Sequence, residues 1–374
     1  GIIMSYIAVL PGDGIGPEVI NEAIKIIKSI EDVTGNKFDL EYGIVGGAAI
    51  DKFGTPLTED TIELIENSKA ILFGAVGGPK WDNLESNLRP ELGILNIRKR
   101  LDLYANLRPV KVFEALKESS PVKSSILKNV DILIIRELTS GLYFGEPKKQ
   151  IEENFKRSAV DTMYYDEYEI ERIVRMSFKI AQSRTKNLTS VDKSNVLETS
   201  KLWRKIVNEV SVDYPDVALH HILVDNAAMQ LILRPSQFDV IVSENTFGDI
   251  LTDEASILSS SLGMLPSASL SFLPGENSSN LKSLYEPIHG SAPDIVGKSI
   301  ANPIGMILST AMMFEFAFEN KDISDLIVKS VDTVINSCLL YTSPSPRDQR
   351  GSGLGGGGLE KKEGGGGGGG GGGG

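Results

Sequence analysis

The sequence has little of what most often announces a mechanism. It holds one cysteine, Cys338, so no internal disulfide is available and a reducing compartment suits it. Its three histidines are His220, His221 and His289. The adjacent pair has no partner at metal-ligand spacing and reads as structural. Positive charge is short: 38 Lys and Arg against 50 Asp and Glu leave a net −12. That is the wrong sign for a general binder of nucleic acid or anionic membrane. The most apolar stretch, Pro303 to Phe318, is interrupted by Ser309, Thr310 and Glu315 and is too short to span a bilayer. No Walker A sequence occurs, and the start at Met4 lacks a basic n-region and a cleavage site, so no signal peptide is expected. The expectation is a soluble, acidic, cytoplasmic protein.

Glycine, by contrast, is abundant. Of 38 glycines, 17 fall between Gly351 and Gly374, and the last of these form an unbroken run from Gly364. Such a run buries no apolar surface and loses the most backbone entropy on ordering, so it belongs to no packed core. Tyr341 to Arg350 abandons the pattern of the preceding helix, and residues 339–374 read as a non-native or disordered tail. The three residues before Met4 read as an upstream extension. The tail's four basic and three acidic residues give it +1, leaving the rest at −13. That rest is long enough for two domains of ordinary size.

Short apolar runs alternate with helical periodicity, the mark of an α/β protein. Strands are expected at Ile7–Leu10, Phe38–Val45, Ala70–Ala75, Ala105–Val112, Asp131–Arg136, Thr189–Val191, Val217–Leu223 and Val240–Val242. A helix follows Gly16 with Pro17 at its first position and an apolar stripe of Val19, Ala23, Ile26, Ile27 and Ile30. Further helices are expected at Asp166–Ser183, Glu198–Val210, Asp225–Leu233, Asp249–Ser260, Pro303–Phe318 and Ser324–Ser337. The segment Gly141–Tyr165 fits neither period and reads as an extended hairpin or arm.

Several groups could carry chemistry. Gly12-x-Gly14-x-Gly16 suggests a dinucleotide fingerprint, but the third glycine it needs is Pro17, so the turn reads as a tight strand-to-helix connection. Arg98, Arg108 and Arg136 are guanidinium forks suited to carboxylates, although each alone reads first as a solvated surface residue. Asp225, Asp249 and Asp253 are the acidic counterpart. The last two stand i, i+4 on one helix face and suit Mg²⁺ or Mn²⁺; the alternative is that Asp249 merely caps the helix. Lys193 becomes a base near neutrality only beside a metal or other cations. Tyr143 alone is an amphipathic core-edge side chain. Finally, Glu286 to Asp294 and the Ala301-Asn302-Pro303 junction combine small residues with a helix start. A flat anionic ligand could approach there, and Asp294 would favour a free ribose over a 2′-phosphate, hence NAD over NADP.

Singly these signals are weak; their order along the chain is not. Leu10–Glu18, Leu107–Pro109, Arg136–Gly145, Val191–Asn195, Asp225-Asn226, Asn245–Asp253 and Glu286–Asp294 together resemble the isopropylmalate dehydrogenase branch of the isocitrate/isopropylmalate dehydrogenase superfamily. The resemblance runs from Met4 to about Ser337. It implies a two-domain α/β fold that is not a Rossmann fold. Residues 4–100 plus 252–338 would form a terminal, cofactor-binding domain, and 101–251 a central domain with a dimerisation arm at about 141–165.

The resemblance further implies a homodimer with shared active sites, in which Lys193 and Asp225 serve the partner's cleft. Arg98, Arg108 and Arg136 would hold the malate carboxylates, and Asp225, Asp249 and Asp253 the Mg²⁺ or Mn²⁺. Lys193 would take the hydroxyl proton, Tyr143 would protonate the enolate, and His289, Gly290, Ser291, Ala292, Asp294 and Asn302 would bind NAD. Glu91, Ile94 and Leu95, on one face of an expected helix, would set the substrate. Isocitrate's third carboxylate facing two aliphatics and Glu91 should cost several kcal/mol. One methylene more or less costs only ~1–3 kcal/mol. The implied activity is NAD-dependent oxidative decarboxylation of (2R,3S)-3-isopropylmalate to 2-oxoisocaproate, in leucine biosynthesis. A malate- or tartrate-type decarboxylating dehydrogenase and an inactive, C-terminally truncated dimeric relative remain the alternatives.

Overall fold

The structure is a computed structural model that describes residues 6–85, 88–153, 156–276 and 281–337; the tail expected at 339–374, and Cys338, lie outside them. From the N-terminus, strand β1 (Ile7–Gly12) leads into helix α1 (Gly16–Thr34), followed by β2 (Leu40–Tyr42), α2 (Gly47–Phe53), α3 (Glu59–Asn67) and β3 (Ala70–Ala75). Next come α4 (Glu91–Arg100), β4 (Ala105–Lys111), β5 (Asp131–Glu137), β6 (Gly145–Glu153), β7 (Lys156–Thr162), α5 (Glu167–Gln182) and β8 (Asn187–Asp192). The chain continues through α6 (Glu198–Ser211), β9 (Ala218–Leu223), α7 (Val224–Leu233), β10 (Val240–Ser243) and α8 (Asn245–Ser256). It closes with β11 (Pro266–Leu270), β12 (Ser283–Pro287), α9 (Ile304–Phe316) and α10 (Lys321–Asn336).

Ten strands form one sheet in the order β2-β1-β3-β12-β11-β4-β5-β10-β8-β9. Pairing is parallel within β2-β1-β3-β12 and within β5-β10-β8-β9, while β11 and β4 join the two sets by antiparallel ladders. The sheet is therefore continuous where the sequence suggested a boundary between domains. Each parallel set needs helical crossovers, which cover both faces.

Expected and observed elements agree closely where an apolar run or stripe is long. The Ala70–Ala75 strand is as expected, and α5 lies between the expected Asp166 and Ser183, which are its caps, with Asp166 in a capping box with Glu169. Three differences have physical reasons. The expected strand Phe38–Val45 is only β2, three residues long; past it, Val45 turns to a bridge with Leu57 instead of continuing the ladder with β1. Helix α1 begins at Gly16, so Pro17 is its second residue. Helix α8 begins at Asn245, four residues before the expected Asp249, because the Glu244 carboxylate accepts the Thr246 and Phe247 N–H groups and caps it. Asp249 is thus inside the helix and is not its cap.

Among the described residues the hairpin β6-β7 forms a two-stranded sheet separate from the large one. Among the described residues, no helix is long and apolar enough to cross a membrane.

Candidate active site

The site begins with the alternation of β5. Its residues Leu133 and Ile135 point into the large core with α5, whereas Ile132 and Ile134 point to the opposite face, into the cluster with Leu251 and Ala255 of α8. With a period of two, Arg136 belongs to the α8 face, just past its apolar part. On the neighbouring strand Asn106 lies opposite Arg136 and Arg108 opposite Ile134, so all three share that face. Two guanidinium groups thus converge where an apolar face ends.

Both are buried, Arg108 at 8% and Arg136 at 4% exposure, and both are held in place. Arg108 donates through Nε to Asn106 Oδ1 at 2.6 Å and through Nη1 to Thr252 Oγ1 at 2.7 Å. Arg136 donates through Nε and Nη2 to Asn245 Oδ1 at 3.0 and 2.7 Å, and its Nη1 bonds Asp249. Burial, with Arg136 beside it, brings the Arg108 guanidinium down to about 10; burial likewise lowers Arg136, against the pull of Asp249. Two desolvated like charges so close need an anion, and Asp249 pairs with both, at 4.0 Å from Arg108 Nη2. Glycine at 248 leaves room for the Arg136 stem, since a β-carbon on it would stand 2.8 Å from Arg136 Cγ.

The second oxygen of Asp249 accepts the Tyr143 hydroxyl at 3.0 Å, and the Arg136 guanidinium lies 5.7 Å from the Tyr143 ring centre. Burial and the Asp249 charge push the Tyr143 hydroxyl up to about 12, so it keeps its proton at neutral pH. Arg98, in the last turn of α4, is held elsewhere, by Glu286 at 2.8 Å. Among the described residues, buried Arg98 Nε and Glu286 Oε2 have no hydrogen-bond partner, so this pair retains one donor and one acceptor for a ligand.

Lys193 and Asp225 pair with each other at 2.5 Å, across the ends of β8 and β9. The Lys193 hydrogen bond holds the Asp225 carboxyl below the usual carboxylate range. The structure does not bring them together with Asp249 and Asp253: among the described residues no group of three His, Cys, Asp or Glu stands close enough to hold a metal. Asp249 and Asp253, both on α8, offer two carboxylates, the oxygen chemistry that suits Mg²⁺ or Mn²⁺, with further ligands needed from outside the chain. His221 is bound to Asn208 Oδ1 at 2.8 Å, and burial lowers its pKa.

The segment after β12 packs on the glycine turn. Ile15 N–H donates to Ser291 O at 2.8 Å, and a β-carbon on Gly14 would stand 2.0 Å from the same oxygen. Asp13 ties the turn to its neighbours by accepting the N–H groups of Gly47, Ala48 and Gly77, so the turn is structural. Ala292 adopts φ 37°, a left-handed conformation costly for a residue with a β-carbon. His289, Ser291 and Ala292 are buried, Gly290 and Asn302 half-buried and Asp294 exposed. Asn302 Oδ1 accepts Ile304 N–H at the start of α9. Small residues with one exposed carboxylate beside a helix start are compatible with a dinucleotide.

Glu91, Ile94 and Leu95 share a face of α4, as their spacing required. Ile94 is packed in the core with Val45 and Ile97, so half-buried Leu95 has more surface to offer a ligand than Ile94. A cavity of about 590 Å³ between α9, α10 and β4 is lined by none of Arg98, Arg108, Arg136 or Asp249. Sequence reasoning gave no role to Asn106, Thr252 or Asn245, which fix the arginines; Asn245 opens a recognised motif, and that was its only signal.

Residues 6–345 match the family model described as isocitrate/isopropylmalate dehydrogenase. A 3-isopropylmalate dehydrogenase of Aquifex aeolicus is 56% identical over 330 residues, 88% of either chain. One of Bacillus licheniformis is 57% identical over 332 residues, again 88% of each. Among solved structures, isocitrate dehydrogenase from Methylococcus capsulatus is 34% identical with a TM-score of 0.76, covering 89% of this chain and 91% of that one. The chain belongs to the isocitrate/isopropylmalate dehydrogenase family.

Proposed function

We propose that this chain is an NAD- and divalent-metal-dependent 3-isopropylmalate dehydrogenase, converting (2R,3S)-3-isopropylmalate to 2-oxoisocaproate on the way to leucine. The observation that carries the reading is the pair of buried guanidinium groups, Arg108 and Arg136, converging on Asp249 and Tyr143 at the end of an apolar sheet face. A dicarboxylate has the charge and shape for that fork, and the relatives over 88% of the chain carry this enzyme's name.

Arg108 and Arg136, with Arg98 once released from Glu286, bind and orient the malate carboxylates. Leu95, backed by Ile94 and beside Glu91, offers the isopropyl group an apolar neighbour and offers a third carboxylate none. Asp249 and Asp253, with Asp225 of the partner subunit, would hold Mg²⁺ or Mn²⁺, whose Lewis acidity makes the substrate hydroxyl more acidic. His289 to Ala292, Asp294 and Asn302 would hold NAD⁺, which supplies the hydride acceptor. Lys193 of the partner subunit removes the hydroxyl proton. Loss of CO₂ from the resulting β-keto acid leaves an enolate, and Tyr143 gives it a proton. Each such acid–base step typically contributes ~10²–10⁴-fold.

The homodimer in this reading rests on two features of the fold. Among the described residues the hairpin β6-β7 pairs with no other strand, and a lone hairpin is marginal in water. Met229 and Leu233 of α7 and Ile250 of α8 are more than half exposed, an apolar surface unusual for a solvated pair of helices.

The test is the NADH formed from 3-isopropylmalate in the presence of Mg²⁺ or Mn²⁺ by the protein and by its Lys193→Ala and Asp249→Ala variants. Both substitutions abolish turnover under this assignment. Robust activity surviving both would remove it.

A further inference from the structure

Behind Arg136 lies a buried hub that the reaction above does not use. Tyr165, 5% exposed just before α5, places its hydroxyl 3.2 Å from Glu137 Oε2 and 3.4 Å from Glu244 Oε2. The same oxygen accepts the Asn245 backbone N–H at 3.0 Å. The two carboxylates already have backbone donors. Glu137 accepts Thr139 N–H and Ser140 N–H, and Glu244 accepts Thr246 N–H and Phe247 N–H. Neither depends on Tyr165 alone. Asn245 N–H, at the first residue of α8, has no other acceptor among the bonds of the hub.

The Asn245 side chain is engaged through both its oxygen and its nitrogen. Its Oδ1 takes both Arg136 Nε and Nη2, and its Nδ2 donates to Ser140 O at 2.9 Å. Where residue 245 sits therefore fixes where the guanidinium plane points, leaving Nη1 for Asp249. The Tyr165 ring is held independently of its hydroxyl, edge-on to Trp203 with centres 6.0 Å apart. Gly141 leaves it no slack, since a β-carbon there would stand 2.5 Å from the hydroxyl. Burial holds that hydroxyl well above its ordinary pKa, so it stays a neutral donor and acceptor throughout the working range.

We propose that Tyr165 is a positioning residue for substrate binding: its hydroxyl anchors Asn245, and Asn245 aims the Arg136 guanidinium. The proposal rests on the dehydrogenase reading, in which Arg136 binds a substrate carboxylate. Such a contact is present in ground and transition states alike, so a misaimed fork raises KM and spares kcat.

Tyr165→Phe keeps the ring against Trp203 and removes only the anchor. In the full-length protein it is expected to raise KM for 3-isopropylmalate by ~10-fold with kcat within ~3-fold of wild type, the loss of about one hydrogen bond. In an Asn245→Ala background, where the route to Arg136 is already cut, the same substitution should add little. A merely structural tyrosine would instead lower the melting temperature and leave KM unchanged, and that result overturns the proposal. So does a KM increase of equal size in both backgrounds. Should Tyr165→Phe prove insoluble, the same comparison is made on Glu137→Gln, where the two carboxylates no longer face each other unbridged. Wild-type turnover in the same assay tests the dehydrogenase reading separately: without it that reading fails first.

Discussion

Gly248→Ala offers a sharp separation of binding from stability. Gly248 lies inside α8 with its Cα facing Arg136, and an added β-carbon would stand 2.8 Å from Arg136 Cγ, 2.9 Å from its Cβ and 3.4 Å from its Cα. Alanine in a helix interior is favoured over glycine by about 1 kcal/mol. Overpacking a buried site costs ~1–3 kcal/mol. The two effects partly offset, so stability should fall by no more than about 2 kcal/mol. Arg136 cannot yield freely, because it is 4% exposed and bonded to Asn245 and Asp249. Its stem must shift, and the guanidinium loses alignment with the substrate carboxylate. A hydrogen bond to a charged group contributes about 1.5–3 kcal/mol, so KM for 3-isopropylmalate should rise roughly 10- to 100-fold. Steady-state kinetics and thermal unfolding on one preparation give both numbers. Gly35→Ala is the control: Gly35 caps α1 at φ 74° with nothing within 4 Å of an added β-carbon, so it should lower stability and leave KM alone. An unchanged KM in Gly248→Ala would refute the role given to Arg136.

Three further outcomes are expected. Burial pushes Glu137 up from 4.5 to about 7, so between those values the folded chain binds more protons than the unfolded one. The stability this group contributes is full below about pH 4.5 and is lost as pH rises to about 7, a change of roughly 3 kcal/mol. Urea unfolding should therefore show wild type losing ground to Glu137→Gln across that window, and parallel curves would contradict it. Arg108→Lys keeps the charge but cannot reach both Asn106 and Thr252, so KM should rise at least ~10-fold, as measured by initial rates over substrate concentration. If Lys193 serves the partner's cleft, mixing inactive Lys193→Ala with inactive Arg136→Ala and reassociating subunits restores turnover, because one hybrid site is intact. No recovery on mixing would place both residues in one subunit's site.

What the sequence made legible follows from where the signal is local. Strand β3 and helix α5 are read from a continuous apolar run and from a capping box within one turn. Strand β11, Pro-Ser-Ala-Ser-Leu, was missed because its alternate residues are serines. They are buried all the same: Ser267 donates to Glu286 O, and Ser269 accepts from Asn106. Those partners are far away in sequence, so no pattern within the strand announces them. The same holds at the site. Arg136 was legible as a cation ending a strand, and Asp249 and Asp253 as a pair on one helix face. Asn245, Tyr165 and Glu137 were given no role because each owes its place to a bond spanning tens of residues. The start of α8 was misplaced for a related reason, since Glu244 is not among the residues usually favoured as a helix cap.

Oxidation and decarboxylation of 3-isopropylmalate by this chain are open to direct measurement. The direct measurement supplies the purified protein with NAD⁺, Mn²⁺ and, in separate reactions, 3-isopropylmalate, isocitrate, malate and tartrate, and follows NADH, CO₂ and the keto acid together. Equal amounts of NADH, CO₂ and 2-oxoisocaproate are expected from 3-isopropylmalate, with kcat/KM well above that for the other three acids. A higher kcat/KM for malate, tartrate or isocitrate, or NADH formed without CO₂, would contradict it.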